Sequence, residues 1–284
     1  MGTTTSKHPR AKHPQAKPPC GLARPKRNRY FYGKLLDAYH FELETDYHSG
    51  KRHLLNRLVS GYGVVCGLDV TKAPCPDPDN GDPGGKEGCV VVSPGFAIDP
   101  WGREIVVDQE SPPIPIPPAL ASDKPGEVDT SLCCYDCHSP EDEHWAHLVL
   151  CYHECETEPT PALSGDCGQD ACQAGAVVER YRLEFRPGCV RGFREEADIP
   201  DFITKGKLDY RTLVQWVTDD CPACLEDPCI PLANVHLDVD DEGHTCHPLE
   251  IDIGVRPIVF TNDLLFELMW SLLTDKPAAA RRRK

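Results

Sequence analysis

Residues 30–68 read YFYGKLLDAYHFELETDYHSGKRHLLNRLVSGYGVVCGL, and the spacing of the apolar residues changes within this stretch. In its first part the apolar residues recur at the spacing of one helix face: Leu43, Tyr47, Leu54 and Leu58. Asp37 is a suitable N-cap, so we predict a helix running from there to about Ser60, with Gly61 at its end. Over Val64–Val70 the apolar residues alternate instead, which predicts a strand with one buried face.

Short strands are predicted to follow this helix. They cover residues 89–92, 96–98 and 103–107. Asp99-Pro100-Trp101-Gly102 suits a turn, because proline is favoured at the second position and glycine at the fourth. We therefore predict a helix packed on a small β-sheet domain over residues 29–110.

A proline-rich run, residues 112–118, separates the two halves of the chain. Proline lacks the amide donor that a strand inside a sheet needs, so this run is predicted to be a stiff spacer. We place a linker at residues 111–130 and a second, cysteine-rich β domain at residues 131–258. Its predicted strands lie within residues 147–153, 177–185, 233–239 and 249–253, with a short helix over Leu208–Thr218.

A last helix is predicted over Asp263–Thr274, within a segment at residues 259–276. Its apolar residues cover most of its faces, so it packs either in the core or against a partner. For the partner alternative we take the following as interface residues: Leu265, Leu268, Met269, Trp270 and Leu272.

Charge is distributed unevenly along the chain. The net charge is −15, which argues against a body that coats nucleic acid, yet residues 1–28 and the tail at residues 277–284 are basic. The arm is predicted to be disordered. The alternatives are solvated tails or arms that dock on an acidic neighbour. No apolar run is long enough for a membrane helix, and no secretory signal is present, so a cytosolic protein is expected.

Sixteen cysteines are unusual for a cytosolic chain. Reducing conditions disfavour disulfides, so we predict a structural zinc in the second domain, with a disulfide staple as the alternative. Cys221-x-x-Cys224 has the spacing with which two thiolates hold one zinc ion. The predicted ligands are Cys221, Cys224 and Cys229, completed from Cys155, Cys167 and Cys172. Cys66, Cys75 and Cys189 are interpreted as buried or loop thiols.

Motifs for catalysis are not evident. The sequence has no phosphate-binding loop, no Gly-x-Ser-x-Gly and no His-Glu-x-x-His. A catalytic zinc beside Glu154 as general base is one alternative, but ligands carried on cysteine-rich loops are typical of structural zinc. We therefore expect no enzymatic activity.

Four blocks of the sequence resemble proteins encoded with contractile injection systems, which are phage-tail-like particles with a sheath, an inner tube and a baseplate. The longest block is residues 30–68. The others are residues 92–105, with Gly102-Arg103-Glu104-Ile105 at the end, residues 151–157 (CYHECET) and residues 256–262 (RPIVFTN). The basic arm and the arginine-rich tail lie outside the resemblance.

The resemblance implies a baseplate-associated or accessory component of such a particle. Its partners would be baseplate, sheath or tube proteins, and the particle would be assembled in the cytoplasm, whether it is then released or attached to a membrane. The fold class expected from the residues is α+β. The alternative functions are a zinc-dependent hydrolase or carried effector, and a nucleic-acid-binding regulatory module that uses its basic termini.

Overall fold

A computed structural model of the chain describes residues 24–75, 88–117, 144–161, 172–190, 192, 202–204, 207–218, 221, 224–239 and 246–274. Cys167, the proline-rich segment after residue 117, most of the basic arm and the basic tail lie outside these residues. Among the described helices, none is both long and apolar enough to cross a membrane.

The first helix begins and ends close to the predicted positions. Helix α1 covers Ala38–Leu55 and continues as a π-helical turn over Asn56–Ser60. Asp37 is the N-cap, and its side chain accepts a hydrogen bond from the backbone N–H of His40. Gly61 ends the helix with φ 79°. No residue of α1 is buried, so the predicted apolar stripe is only partly covered.

Two small antiparallel sheets follow α1. The first has the order β1-β4-β5 and the second the order β2-β3-β6. Their strands are β1 Gly63–Gly67, β2 Val70–Ala73, β3 Cys89–Val92, β4 Gly95–Ile98, β5 Glu104–Val107 and β6 Ile114–Pro115. Backbone hydrogen bonds confirm the predicted Asp99–Gly102 turn, since the N–H of Gly102 donates to the carbonyl of Asp99 over 2.8 Å.

The single strand predicted over Val64–Val70 is wrong, because the chain turns inside it. Gly67 and Leu68 have φ values of 66° and 59°, a left-handed conformation that ends β1 and sends the next residues into a different sheet. A register shift between Val64 and Cys66 also moves Cys66 to an exposed position. Periodicity alone does not reveal either irregularity.

A larger antiparallel sheet forms most of the second half, in the order β12-β11-β7-β8. Its strands are β7 His144–Pro161, β8 Cys172–Pro187, β11 Ile230–Val239 and β12 Cys246–Asp252. The remaining elements are a short pair, β9 Ile203–Thr204 and β10 Lys207–Leu208, then helix α2 Tyr210–Thr218 and helix α3 Asn262–Thr274. The predicted strands and both short helices are therefore present, giving an α+β fold.

The described part of the proline-rich segment is built into the fold rather than acting as a spacer. Ile114 pairs with Val90, and Ile116 and Ser111 are buried. Strand β6 lies at the edge of its sheet, where a missing amide donor is tolerated. The prediction took the whole run as a spacer and did not anticipate a strand at the sheet edge.

One buried apolar cluster joins the small sheets to the large one. It contains Leu68, Val90 and Ile105 from the first half, and Leu148, Leu150 and Ile230 from the second. The two halves that we predicted as separate domains thus share a hydrophobic core.

Strands β7 and β8 extend beyond the large sheet as a hairpin. Strand β11 pairs with β7 only between His144 and Leu150, whereas β8 pairs with it as far as Pro161. Residues 151–161 and 172–182 form this hairpin arm, which is two strands wide.

Candidate interaction surfaces and cysteine cluster

Residues from each of the four blocks that carry the resemblance make contacts at the junction between the two halves of the chain. Asp99 is fully buried, and its Oδ1 accepts hydrogen bonds from the backbone N–H groups of Trp101 and Arg103. Its Oδ2 accepts from Arg103 Nε over 2.6 Å. Burial raises the pKa of Asp99, while Arg103 acts in the opposite direction. This aspartate fixes the turn before β5 and orients the arginine.

Arg103 then links the turn to the hairpin arm. Its guanidinium lies 4.6 Å from the ring centre of Trp101 and 4.4 Å from that of Tyr152. The hydroxyl of Tyr152 donates to Glu154 over 2.7 Å, and burial, reinforced by Glu154, raises the pKa of this tyrosine. Glu154 is thus a partner of Tyr152 in this cluster. It is not a member of the group of potential metal ligands found among the described residues.

The C-terminal end of α1 docks on the same turn. Asn56 donates from Nδ2 to the carbonyl of Gly102 and to Glu104, over 2.9 and 3.0 Å. A side chain at Gly102 would come within 2.1 Å of the carbonyl oxygen of His53, so only glycine allows this approach. Burial lowers the pKa of His53, and Arg52 and Arg103 act in the same direction.

The segment before α3 contacts the first half at β1. Val64 bonds through its backbone to Pro257 and Val259, over 2.8 and 2.9 Å. Arg256 donates to the carbonyls of Leu68 and Leu232, over 3.0 and 2.9 Å. The four blocks therefore hold the halves of the chain together, and this junction is structural in character.

Among the described residues outside the junction, several segments expose apolar side chains, including α2, where Tyr210 is 69% and Val217 77% exposed; two of them lie in or next to the blocks that carry the resemblance. The first, which we call the aromatic segment, covers residues 30–36, where Phe31 is 64% exposed and Leu35 86%. The second is α3, where four predicted interface residues are exposed: Leu265, Leu268, Met269 and Trp270. The side chain of Leu272, the fifth, lies outside the described residues. The sequence of the aromatic segment does not indicate whether its side chains are exposed or buried.

The predicted zinc ligands occupy different places in the structure. Cys229 forms a disulfide with Cys151, and Cys224 is also disulfide-bonded, whereas Cys221 is an exposed thiol. Cys75, interpreted as a thiol, is bonded to Cys89. Strands β2 and β3 place those two close together, since Ala73 pairs with Cys89.

Cys155 and Cys172 lie too far along the hairpin arm to share a metal ion with Cys229. Cys155 is opposite Val178, and Cys172 is opposite Pro161. At about 3.3 Å per residue, Cys155 is roughly 13 Å along β7 from Cys151, the residue bonded to Cys229. The structure does not bring these predicted ligands together, and zinc itself remains a prediction.

The Cys151–Cys229 disulfide has charged neighbours on β8. Arg186 Nη2 lies 3.3 Å from Cys229 Sγ and donates to Glu184 over 2.8 Å, and Arg186 also pairs with Asp227. Burial lowers the pKa of Arg186, but its hydrogen bonds with Asp227 and Glu184 outweigh this and raise it. Sequence spacing gave no sign of this group, because its members come from three strands or their ends.

Comparison with known proteins gives weak likenesses only. No protein-family model matches the chain, and no curated protein matches it. The chain is similar to the crystal structure of TssK, with a TM-score of 0.34 and 11% identity, covering 81% of this chain and 41% of TssK. It is also similar to a chain of the baseplate complex from the type VI secretion system, with a TM-score of 0.33 and 13% identity, covering 92% of this chain and 72% of that one. The chain spans less than half the length of TssK, and TM-scores of this size do not establish a shared fold.

Proposed function

We propose that this protein is a structural subunit of a contractile injection particle, baseplate-associated or accessory, and that it acts through protein interfaces. The observation that carries the proposal is the exposed aromatic segment. Tyr30, Phe31, Tyr32 and Leu35 are all more than half exposed, and they open the longest block that resembles proteins of such particles. Large contiguous apolar patches on a protein surface are typical of interaction sites.

The α3 helix supports the same function independently. Phe266, Met269 and Trp270 are each 57–59% exposed, while the segment just before the helix is held on β1 by Val64. A firmly anchored helix that presents apolar side chains is suited to a fixed neighbour in an assembly. We propose assembly in the cytoplasm and other particle subunits as the partners.

The two apolar surfaces also argue for a structural role over catalysis. The conspicuous polar groups of the junction contact one another: Asp99 binds Arg103 and two backbone N–H groups, and Glu154 accepts a hydrogen bond from Tyr152. Such a cluster stabilises a fold and leaves little to offer a substrate. We propose that the protein is not an enzyme.

Polar and charged substitutions test the interfaces. We expect Leu268→Glu with Met269→Glu, and separately Phe31→Ser with Tyr32→Ser, to remain folded but to leave the particle fraction, because these side chains are exposed in the isolated chain. The measurement is the amount of chain that sediments with purified particles. The matched control is Val177→Glu, an apolar residue of β8 that is 53% exposed. Full retention of both double variants in particles would contradict the proposed interfaces.

A further inference from the structure

Among the described residues, one group of potential metal ligands lies close together: Cys151, Glu184 and Cys229, whose ligand atoms are all within 4.8 Å of one another. Two of the three are joined as a disulfide in this structure. Neither Cys151 nor Glu184 belongs to the ligand set predicted from sequence spacing. We propose that reduction of the Cys151–Cys229 disulfide creates a zinc site made of these three residues.

The backbone positions the three ligands before any metal arrives. Leu150 pairs with Ile230, so the neighbouring Cys151 and Cys229 face each other across β7 and the start of β11, with Cα atoms 4.4 Å apart. Glu184 is opposite Val149 on β8, on the other side of β7. Two strand pairings therefore hold the ligands, and breaking the S–S bond leaves both pairings in place.

The distances match a tetrahedral zinc ion. Sulfur and oxygen ligands of one zinc ion lie about 3.5 Å apart, given bond lengths of about 2.3 and 2.0 Å. Glu184 Oε1 is 3.8 Å from Cys151 Sγ. The two sulfur atoms need only separate from bonding distance to about 3.8 Å, a side-chain rotation rather than a strand movement. A water molecule would supply the fourth ligand.

The charges around the group also favour the reduced, metal-bound state. Two thiolates, Glu184 and Asp227 carry four negative charges, which a divalent cation and the guanidinium groups of Arg186 and Arg182 balance. Arg186 Nη2 lies 3.3 Å from Cys229 Sγ, where it would stabilise the thiolate without occupying its remaining lone pairs. Glu184 Oε1 accepts from both Nε and Nη2 of Arg186, and Glu184 Oε2 pairs with Arg182, so a metal ion would replace one of the Arg186 contacts when it binds Oε1.

The chemical step balances with a dithiol as reductant. The dithiol passes two electrons and two protons to the Cys151–Cys229 bond, which opens to two thiols while the dithiol closes to its own disulfide. Zinc binding then releases the two thiol protons. The same pair of cysteines would thus staple β7 to β11 by a disulfide in an oxidising setting and by zinc in a reducing one.

Cobalt binding to the full-length chain tests this site, read by the thiolate-to-cobalt charge-transfer absorption after reduction with a phosphine. We expect the reduced Cys151→Ser and Cys229→Ser variants each to bind about one cobalt ion per chain fewer than reduced wild type. Glu184→Gln should bind that ion with an affinity at least about tenfold lower, the scale expected for disturbed metal sites. Zinc should displace the cobalt. Oxidised wild type should not bind this cobalt ion.

Two control variants make the outcome decisive. Cys75→Ser removes a disulfide on another sheet, and Cys221→Ser removes an exposed thiol of the set predicted from sequence. Both variants should bind as many cobalt ions per chain as reduced wild type. Reduced, metal-free wild type is the folding reference, because it also lacks the disulfide, and circular dichroism compares each variant with it. The proposal would be overturned if folded Cys151→Ser still bound this cobalt ion, or if Cys221→Ser no longer bound it. Neither result bears on the particle interfaces.

Discussion

At the residue scale, Arg103 is expected to have a large effect on stability. Its side chain is 11% exposed and pairs with Asp99, whose side chain is fully buried. Replacing the arginine leaves a buried carboxylate without its counter-charge, which typically costs about 3–5 kcal/mol. We predict a loss of that size in the free energy of unfolding for Arg103→Met, measured by urea denaturation.

Arg182→Met is the matched control for this prediction. Arg182 also pairs with a carboxylate, Glu184, but its side chain is 60% exposed, and exposed pairs contribute only about 0–1 kcal/mol. Equal losses in the two variants would show that the Asp99–Arg103 pair has no special role at the junction.

The histidine at the end of α1 gives a pH dependence with a definite sign. Burial lowers the pKa of His53 below its ordinary 6.5, so the unfolded chain binds this proton more readily than the folded chain. Stability is therefore expected to fall as the pH drops below about 6.5, by at most about 1.4 kcal/mol per pH unit for one such group. His53→Gln should reduce this slope.

Urea denaturation at several pH values between about 5 and 7.5 measures the effect. Burial also lowers the pKa of His147, so a smaller slope should remain in the His53 variant. His48→Gln, at an exposed position of the same helix, is the control and should retain the wild-type slope. If the free energy of unfolding of His53→Gln depended on pH as steeply as that of wild type, the pH dependence could not be assigned to His53.

At the element scale, Gly102 tests how α1 is held on the small sheet. Both Gly102 and Gly33 have a positive φ, 86° and 81°, but a side chain meets the carbonyl of His53 only at Gly102. Alanine at either position should cost about 1–2 kcal/mol for its conformation. We predict a clearly larger loss of unfolding free energy for Gly102→Ala, and equal losses would contradict the close docking.

Most elements could be predicted because their local signals are strong. The Asp37 cap, the Asp99–Gly102 turn and the alternating residues of β11 each depend on neighbours within a few positions. The break at Leu68 could not be predicted, because a left-handed leucine is held there by tertiary contacts such as the bond from Arg256. Local propensity gives no warning of such a residue.

The cysteines show the same limit. Spacing along the chain placed Cys229 with Cys221 and Cys224 as a zinc ligand, whereas the structure pairs it with Cys151 in a disulfide. Cys151 is 78 residues away and becomes its neighbour only because β7 and β11 pair. Disulfide connectivity and non-local ligand sets depend on strand register, which short spacings do not encode.

At the whole-molecule scale, the chain is an α+β body whose two halves share a core and whose two proposed interfaces, the aromatic segment and α3, lie near the two ends of the described residues. The buried cluster that includes Leu68 and Leu150 prevents the halves from moving as independent domains. A body of this kind is suited to a subunit that occupies a fixed site among its neighbours, which is the role we propose.

Quantitative mass spectrometry of purified contractile particles tests this central claim most directly. The measured quantity is the number of copies of this chain per particle, relative to sheath and tube proteins, across independent preparations and after washing in high salt. A resident subunit predicts a fixed ratio that survives washing, because apolar interfaces are not weakened by salt. A chain that is absent from particles, or whose ratio varies between preparations and falls on washing, would contradict the account.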